Sequence, residues 1–190
     1  QEYGVMVGNT PNAFTLPVAD SVLGYMLAFA RQQPWMDQAV KKGLWKKIPG
    51  RSLHECTLGV IGVGNIGRAV LKRAQAFQMT LLGNDIRKIS PDFLEQTGVE
   101  MVPLEELVSR ADFISINCDL NPTSRALMDQ DLFQKMKRTS VLINTARGPI
   151  VDEAALISAL ESGLIAGAAL DVYQQEPLDE DSPLLAFDQV

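Results

Sequence analysis

The stretch Gly62-Val63-Gly64-Asn65-Ile66-Gly67 decides the fold class of this 190-residue chain. It stands between an apolar run at 58–61 and a stretch at 65–77 that puts Ile66, Ala69, Val70, Ala74 and Phe77 on one helical stripe. Three glycines at this spacing, after a strand and at the opening of a helix, are the pattern of a dinucleotide-binding turn. Gly62 permits the tight turn, Gly64 lets the backbone approach a pyrophosphate, and Gly67 lets helix and strand pack closely. Asn65 and Ile66 open the helix, whose first N–H groups and positive dipole end suit phosphate oxygens.

Asp85 adds independent weight. It follows the next apolar run, 80–82, and lies eighteen residues beyond Gly67, near the ~20 at which an acid meets the adenosine ribose hydroxyls. A carboxylate there repels a 2′-phosphate, so the pattern favours NAD over NADP. Arg87 and Lys88 work the other way, because either can neutralise such a phosphate.

Working outward, apolar runs at 113–116, 141–143 and 166–170 continue the series. Amphipathic stretches separate them, notably 152–162, which starts at an Asp cap and stops at Gly163, and 103–109, which starts at Pro. This alternation predicts an α/β fold: a Rossmann-type, doubly wound parallel sheet. Upstream, 18–31 forms a broad apolar face from Val18, Val22, Leu23, Met26, Leu27 and Ala30, and Pro34 opens a second helical piece to about Lys42. The chain thus reads as one NAD-binding domain, 1–190, with an N-terminal helical arm at 1–50 and a core at 51–190. Such an apolar helix either covers the sheet or buries itself against another subunit, and the sequence leaves both open.

Composition narrows the partners. Seventeen basic residues against twenty-three acidic ones, a net charge of −6, argue against nucleic acid. Lys41, Lys42, Lys46 and Lys47 cluster as a solvated helix end. No apolar stretch approaches the ~20 residues that span a bilayer, and the N-terminus lacks a signal-peptide layout, so no membrane partner is expected. Cys56 and Cys118 are too few for a disulfide framework and read as buried thiols of a reducing, cytoplasmic compartment. No cluster reads as a metal site.

Three further segments make the pattern specific. They are Leu142-Ile143-Asn144-Thr145-Ala146-Arg147-Gly148-Pro149-Ile150-Val151-Asp152-Glu153, then Gly167-Ala168-Ala169-Leu170-Asp171-Val172-Tyr173 running to Glu176-Pro177, and the early Asn9-Thr10-Pro11 and Val18-Ala19-Asp20 with Gly43-Leu44-Trp45. Together with the glycine turn, the chain resembles the D-isomer-specific 2-hydroxyacid dehydrogenases, the family of phosphoglycerate, D-lactate and formate dehydrogenases. The resemblance implies an NAD-dependent oxidoreductase acting between a 2-hydroxy acid and a 2-oxo acid. It assigns Arg147 to the substrate carboxylate and carbonyl, a task suited to a planar, charged fork. Glu176 would hold the catalytic histidine protonated, and Asp171 would bind the nicotinamide carboxamide. Asn117, Cys118, Thr145, Ala146 and Arg147 would line the cofactor.

The family's histidine has no match here. His54, the single histidine, precedes the glycine-turn strand and so lies at the wrong edge of the sheet. The expected histidine would follow Val190, and most of a substrate domain would precede Gly4. The chain therefore reads as part of a longer enzyme, inactive alone. Where the family commonly has His-x-Pro, this chain has Asn117-Cys118-Asp119. Asn117 resembles the formate dehydrogenases, whereas Asp119 in place of Pro bears on the substrate class. The resemblance further implies a homodimer through the 18–31 helix. A different reading is an NAD-sensing interaction protein that resembles the C-terminal-binding corepressors.

Overall fold

A computed structural model describes residues 8, 10, 12–45 and 47–190. Gly4, Asn9, Pro11 and Lys46 lie outside the described residues. Six strands, β1 (Thr57–Ile61), β2 (Thr80–Asn84), β3 (Glu100–Met101), β4 (Phe113–Ile116), β5 (Val141–Asn144) and β6 (Gly167–Leu170), form one sheet. All pairs are parallel, in the order β3-β2-β1-β4-β5-β6. This is the expected doubly wound Rossmann-type sheet, with β1 and β4 adjacent where the winding reverses.

Each crossover carries a helix. These are α3 (Asn65–Ala76), α4 (Pro91–Thr97), α5 (Leu104–Arg110), α6 (Gln130–Lys135) and α7 (Glu153–Glu161), and α1 (Thr15–Arg31) and α2 (Gln33–Lys41) precede the sheet. The strands read as unbroken apolar runs because neighbouring residues serve different cores. Val60, Phe113, Val141 and Ile143 face a layer that includes Val22 and Met26 of α1 and Val70 and Ala74 of α3. Ile61, Ile114 and Leu142 face the opposite layer, with Leu107 of α5, Phe133 of α6 and Leu156 of α7.

The stripe of α1 has its partner inside the chain. Ala19, Val22, Leu23, Met26 and Ala30 are buried, and α1 packs along α3. The helix therefore covers the core. What stays exposed lies on other faces and on the arm beyond: Leu16, Val40, Leu44 and Trp45, the last 88% exposed. Lys41, at the end of α2, pairs with Asp37 one turn back at 2.6 Å, as a solvated helix end should. No helix among the described residues is long and apolar enough to cross a membrane.

The sheet's N-terminal edge is tied by Asp112. Its carboxylate accepts from Thr57 N at 2.9 Å and Arg51 Nη1 at 3.1 Å, and it pairs with Lys137 Nζ at 3.4 Å. One buried acid thus joins the starts of β1 and β4 to the turn before β5.

Candidate functional site

The C-terminal ends of the strands carry the site. Gly62 leaves β1 with φ +90°, and a Cβ there would lie 2.6 Å from Cys118 N and 2.8 Å from Cys118 Cα. Only glycine fits, in conformation and in space. The turn is bonded on several sides: Gly62 N donates to Asn84 O at 2.8 Å, and Val63 N donates to Asp85 Oδ2 at 2.8 Å. Gly64 caps α3 without a side-chain bond, and no acid occupies the first turn of the helix. Among the described residues, the N–H groups of Gly64, Asn65 and Ile66 meet no acceptor. They are the unsatisfied donors a helix start offers to an anion.

Asp85, at the end of β2, is nearly buried, its side chain 4% exposed. Its Oδ1 accepts from Arg87 N at 2.8 Å and meets Arg87 Nε at 3.4 Å. Burial raises the carboxyl's pKa, but the hydrogen bonds from Arg87 N, Val63 N and the Arg87 guanidinium outweigh it and hold the group below its ordinary value. Asp85 stays ionised, and Arg87 reaches from it toward Gly64.

Gly62, Gly64, Asn65, Ile66, Asp85, Arg87, Asn117 and Cys118 come together around one cleft of about 630 Å³ at the β1–β4 switch point. Thr145, Ala146 and Arg147, from the end of β5, line a neighbouring cavity of about 330 Å³ that shares Ile66, Asn117 and Cys118 with the cleft. Gly67 lies behind the turn, against the Gly62 carbonyl. Asp171 and Glu176 line neither cavity and are exposed. Asp171 N joins Asn144 O at 3.0 Å, and Glu176 Oε1 accepts from Tyr173 N at 3.1 Å within its own loop. Gly148 packs directly against the Tyr173 carbonyl, which brings the Arg147 and Glu176 loops side by side.

The Arg147 turn is built by buried Asn144, which donates from Nδ2 to Arg147 O at 3.0 Å and accepts from Ala146 N at 3.1 Å. Arg147 is exposed; its Nη1 donates to Ala146 O at 2.6 Å, and no carboxylate pairs with it among the described residues. Asn117 donates from Nδ2 to Ser115 O at 3.1 Å and to Ser115 Oγ at 2.9 Å, which leaves its Oδ1 buried and, among the described residues, without a partner. Thr145 Oγ1 is in the same state.

Cys118 is half-buried rather than buried, a correction to the expectation from sequence, because it lines the cleft instead of the core. Burial foremost, then the charges of Asp119 and Asp85, push its thiol up despite a bond to its own backbone N–H. His54 sits in a 3-10 turn before β1, exposed, its Nδ1 2.8 Å from Ser52 Oγ, at the opposite edge from these cavities.

Sequence reasoning missed several lining residues: Asn12, Phe14, Asn121, Thr123 and Ser124. Asn12 reaches the glycine turn through Asn65 Nδ2 at 2.6 Å. Asn121-Pro122-Thr123-Ser124 is a legible turn signal, and Asn121 Oδ1 does accept from Thr123 N at 2.9 Å, but nothing in that signal tells where the turn lands.

The model of the D-isomer specific 2-hydroxyacid dehydrogenase NAD binding domain matches residues 23–190. The chain belongs to that family. As a 2-hydroxyacid dehydrogenase NAD-binding domain, it is 41% identical to a glyoxylate reductase of Korarchaeum cryptofilum over 98% of its own length and 58% of that protein's. It is 43% identical to a D-3-phosphoglycerate dehydrogenase of Methanocaldococcus jannaschii over 100% of its own length and 36% of that protein's. Among solved structures, a Granulicella formate dehydrogenase superposes with a TM-score of 0.91 at 28% identity, covering 96% of this chain and 50% of that one. The chain thus spans between about a third and three fifths of these relatives.

The residues of this dehydrogenase domain fit NAD. Free N–H groups at the start of α3 suit the pyrophosphate, ionised Asp85 suits vicinal ribose hydroxyls, and the unpartnered Asn117 Oδ1 and Thr145 Oγ1 await polar groups at the β4–β5 end.

Proposed function

We propose that the protein interconverts a 2-hydroxy acid and its 2-oxo acid, with this domain holding NAD and presenting Arg147 to the substrate. The observation that carries this is Arg147: an exposed guanidinium without a carboxylate partner among the described residues, in one cavity with two buried polar atoms that lack partners. When bound, NAD supplies or accepts the hydride. Arg147 binds the substrate carboxylate bidentately and polarises the carbonyl. Thr145, Ala146, Asn117 and Cys118 shape the nicotinamide end, and Asp171 takes the carboxamide. Glu176, whose Oε2 has no partner among the described residues, orients and keeps protonated an acid–base group supplied from outside these 190 residues.

Asp85 selects NAD over NADP by repelling a 2′-phosphate. Asp119, exposed and lining both cavities, sets a negative charge near the substrate anion, which favours small 2-oxo acids without a second charge. The same reading includes a cytoplasmic protein, with 1–50 as an arm on a 51–190 core and a homodimer formed through the exposed part of that arm. A longer protein that carries this domain, assayed with NADH and a panel of 2-oxo acids, should turn over at least one of them, whereas these 190 residues alone should turn over none. Arg147→Lys should lower kcat/KM about 10²-fold while leaving the Kd of NADH within about twofold. Full turnover by that variant would refute the assignment, and NAD-dependent self-association without any turnover would favour the corepressor-like reading.

A further inference from the structure

Arg68 follows directly on the glycine turn. It is half-buried in the first turn of α3. Its Nε donates to Val63 O at 3.2 Å, and its guanidinium carbon stands 4.9 Å from the centroid of the Phe93 ring on α4. Phe93 is 5% exposed, so the platform under the cation is fixed by the core. No carboxylate pairs with Arg68 among the described residues.

The consequence follows from peptide geometry. In a planar trans peptide, the C=O of one residue and the N–H of the next point in opposite directions. Pinning Val63 O onto Arg68 therefore aims Gly64 N–H away from α3 and α4, toward the cleft that Gly64 lines. The preceding peptide is held in the complementary sense. Val63 N–H is fixed by Asp85 Oδ2 at 2.8 Å, and the Gly62 carbonyl is turned against Gly67. Two successive peptide planes are thus locked by one charged side chain each.

We propose that Arg68 is a positioning residue for the pyrophosphate of the dinucleotide: it orients the Val63–Gly64 peptide so that Gly64 N–H meets a phosphate oxygen, and with Asp85 it forms a two-sided clamp on the turn. Asp85 and Arg68 hold the turn through the same residue, one at the Val63 amide and the other at its carbonyl. This rests on reading the cleft as the NAD site. The cation over Phe93 is a support, and the operative atom is the Nε hydrogen.

Two variants of the protein separate these roles. Arg68→Lys keeps a cation on the ring but loses Nε–H, and Arg68→Met loses both. Both should bind NAD and ADP-ribose about three- to tenfold more weakly, the effect of one lost hydrogen bond, while adenosine binding stays within twofold. In the absence of any ligand, the Val63 amide should exchange its hydrogen several-fold faster in both variants, which tests the clamp apart from the cofactor reading. Faster Val63 exchange in the variants, beside a wild-type protein that binds no NAD, would overturn the cofactor reading alone. Wild-type NAD affinity in Arg68→Lys would show that charge suffices and overturn the clamp. So would equal losses for adenosine and NAD with a lowered Tm, the mark of a merely structural residue.

Discussion

Asp85 does two things with one carboxylate. It faces the cleft and it anchors Val63 N and Arg87 N. Because its folded-state value is depressed below the ordinary 3.8, the stability it lends is fully present above that value and is lost as pH falls through the depressed one. Asp85→Asn should therefore lower stability near neutral pH and flatten the acid limb of the stability curve below about pH 4. Urea unfolding across pH checks this, and an acid limb identical to wild type would contradict it. Asp85 was legible because its distance from Gly67 is set by one βα crossover of near-constant length. Arg147 was legible through the resemblance of its segment to known dehydrogenases. Arg68 and Asn12 were not, since each is held in place by a group that only the folded chain brings near: a ring on α4 under the one, the Asn65 side chain beside the other.

At the scale of elements, strands buried on both faces announce themselves as apolar runs, and five of the six were readable for that reason. The sixth, β3, is two residues long and holds the sheet edge, too short for any period to show. Helices α4 and α6, of seven and six residues, span fewer than two turns and likewise escape a 3.6-residue pattern. The ties between elements are less visible still, and Asp112 is the clearest. Its replacement by Ala frees Thr57 N and two cations at once. The partly exposed Arg51 and Lys137 rehydrate, so the loss should be about 1–3 kcal/mol, a Tm lower by roughly 2–10 °C. The Kd of NAD should stay within about twofold, measured on the same samples. A weakened Kd without a Tm change would show that the edge reaches the site.

On the scale of the whole molecule, the stripe of α1 closes the first core, so the proposed dimer falls to the exposed arm. Trp45, 88% exposed beside Leu44 and five residues past exposed Val40, is a large apolar surface of the sort that anchors interfaces. The protein should sediment as a dimer at micromolar concentration, and Trp45→Ser should raise the dimer Kd by roughly tenfold or more. A wild-type protein that sediments as a monomer would show that the arm forms no dimer.

The sheet also separates its two polar edges. The five residues of β1 set the Asp112 cluster and the glycine turn about 16 Å apart. The lower edge therefore ties the sheet together without touching a dinucleotide held at the upper one. The Arg51–Asp112–Lys137 edge can thus be tuned for stability by substitution there, a handle on endurance that leaves the chemistry above it alone.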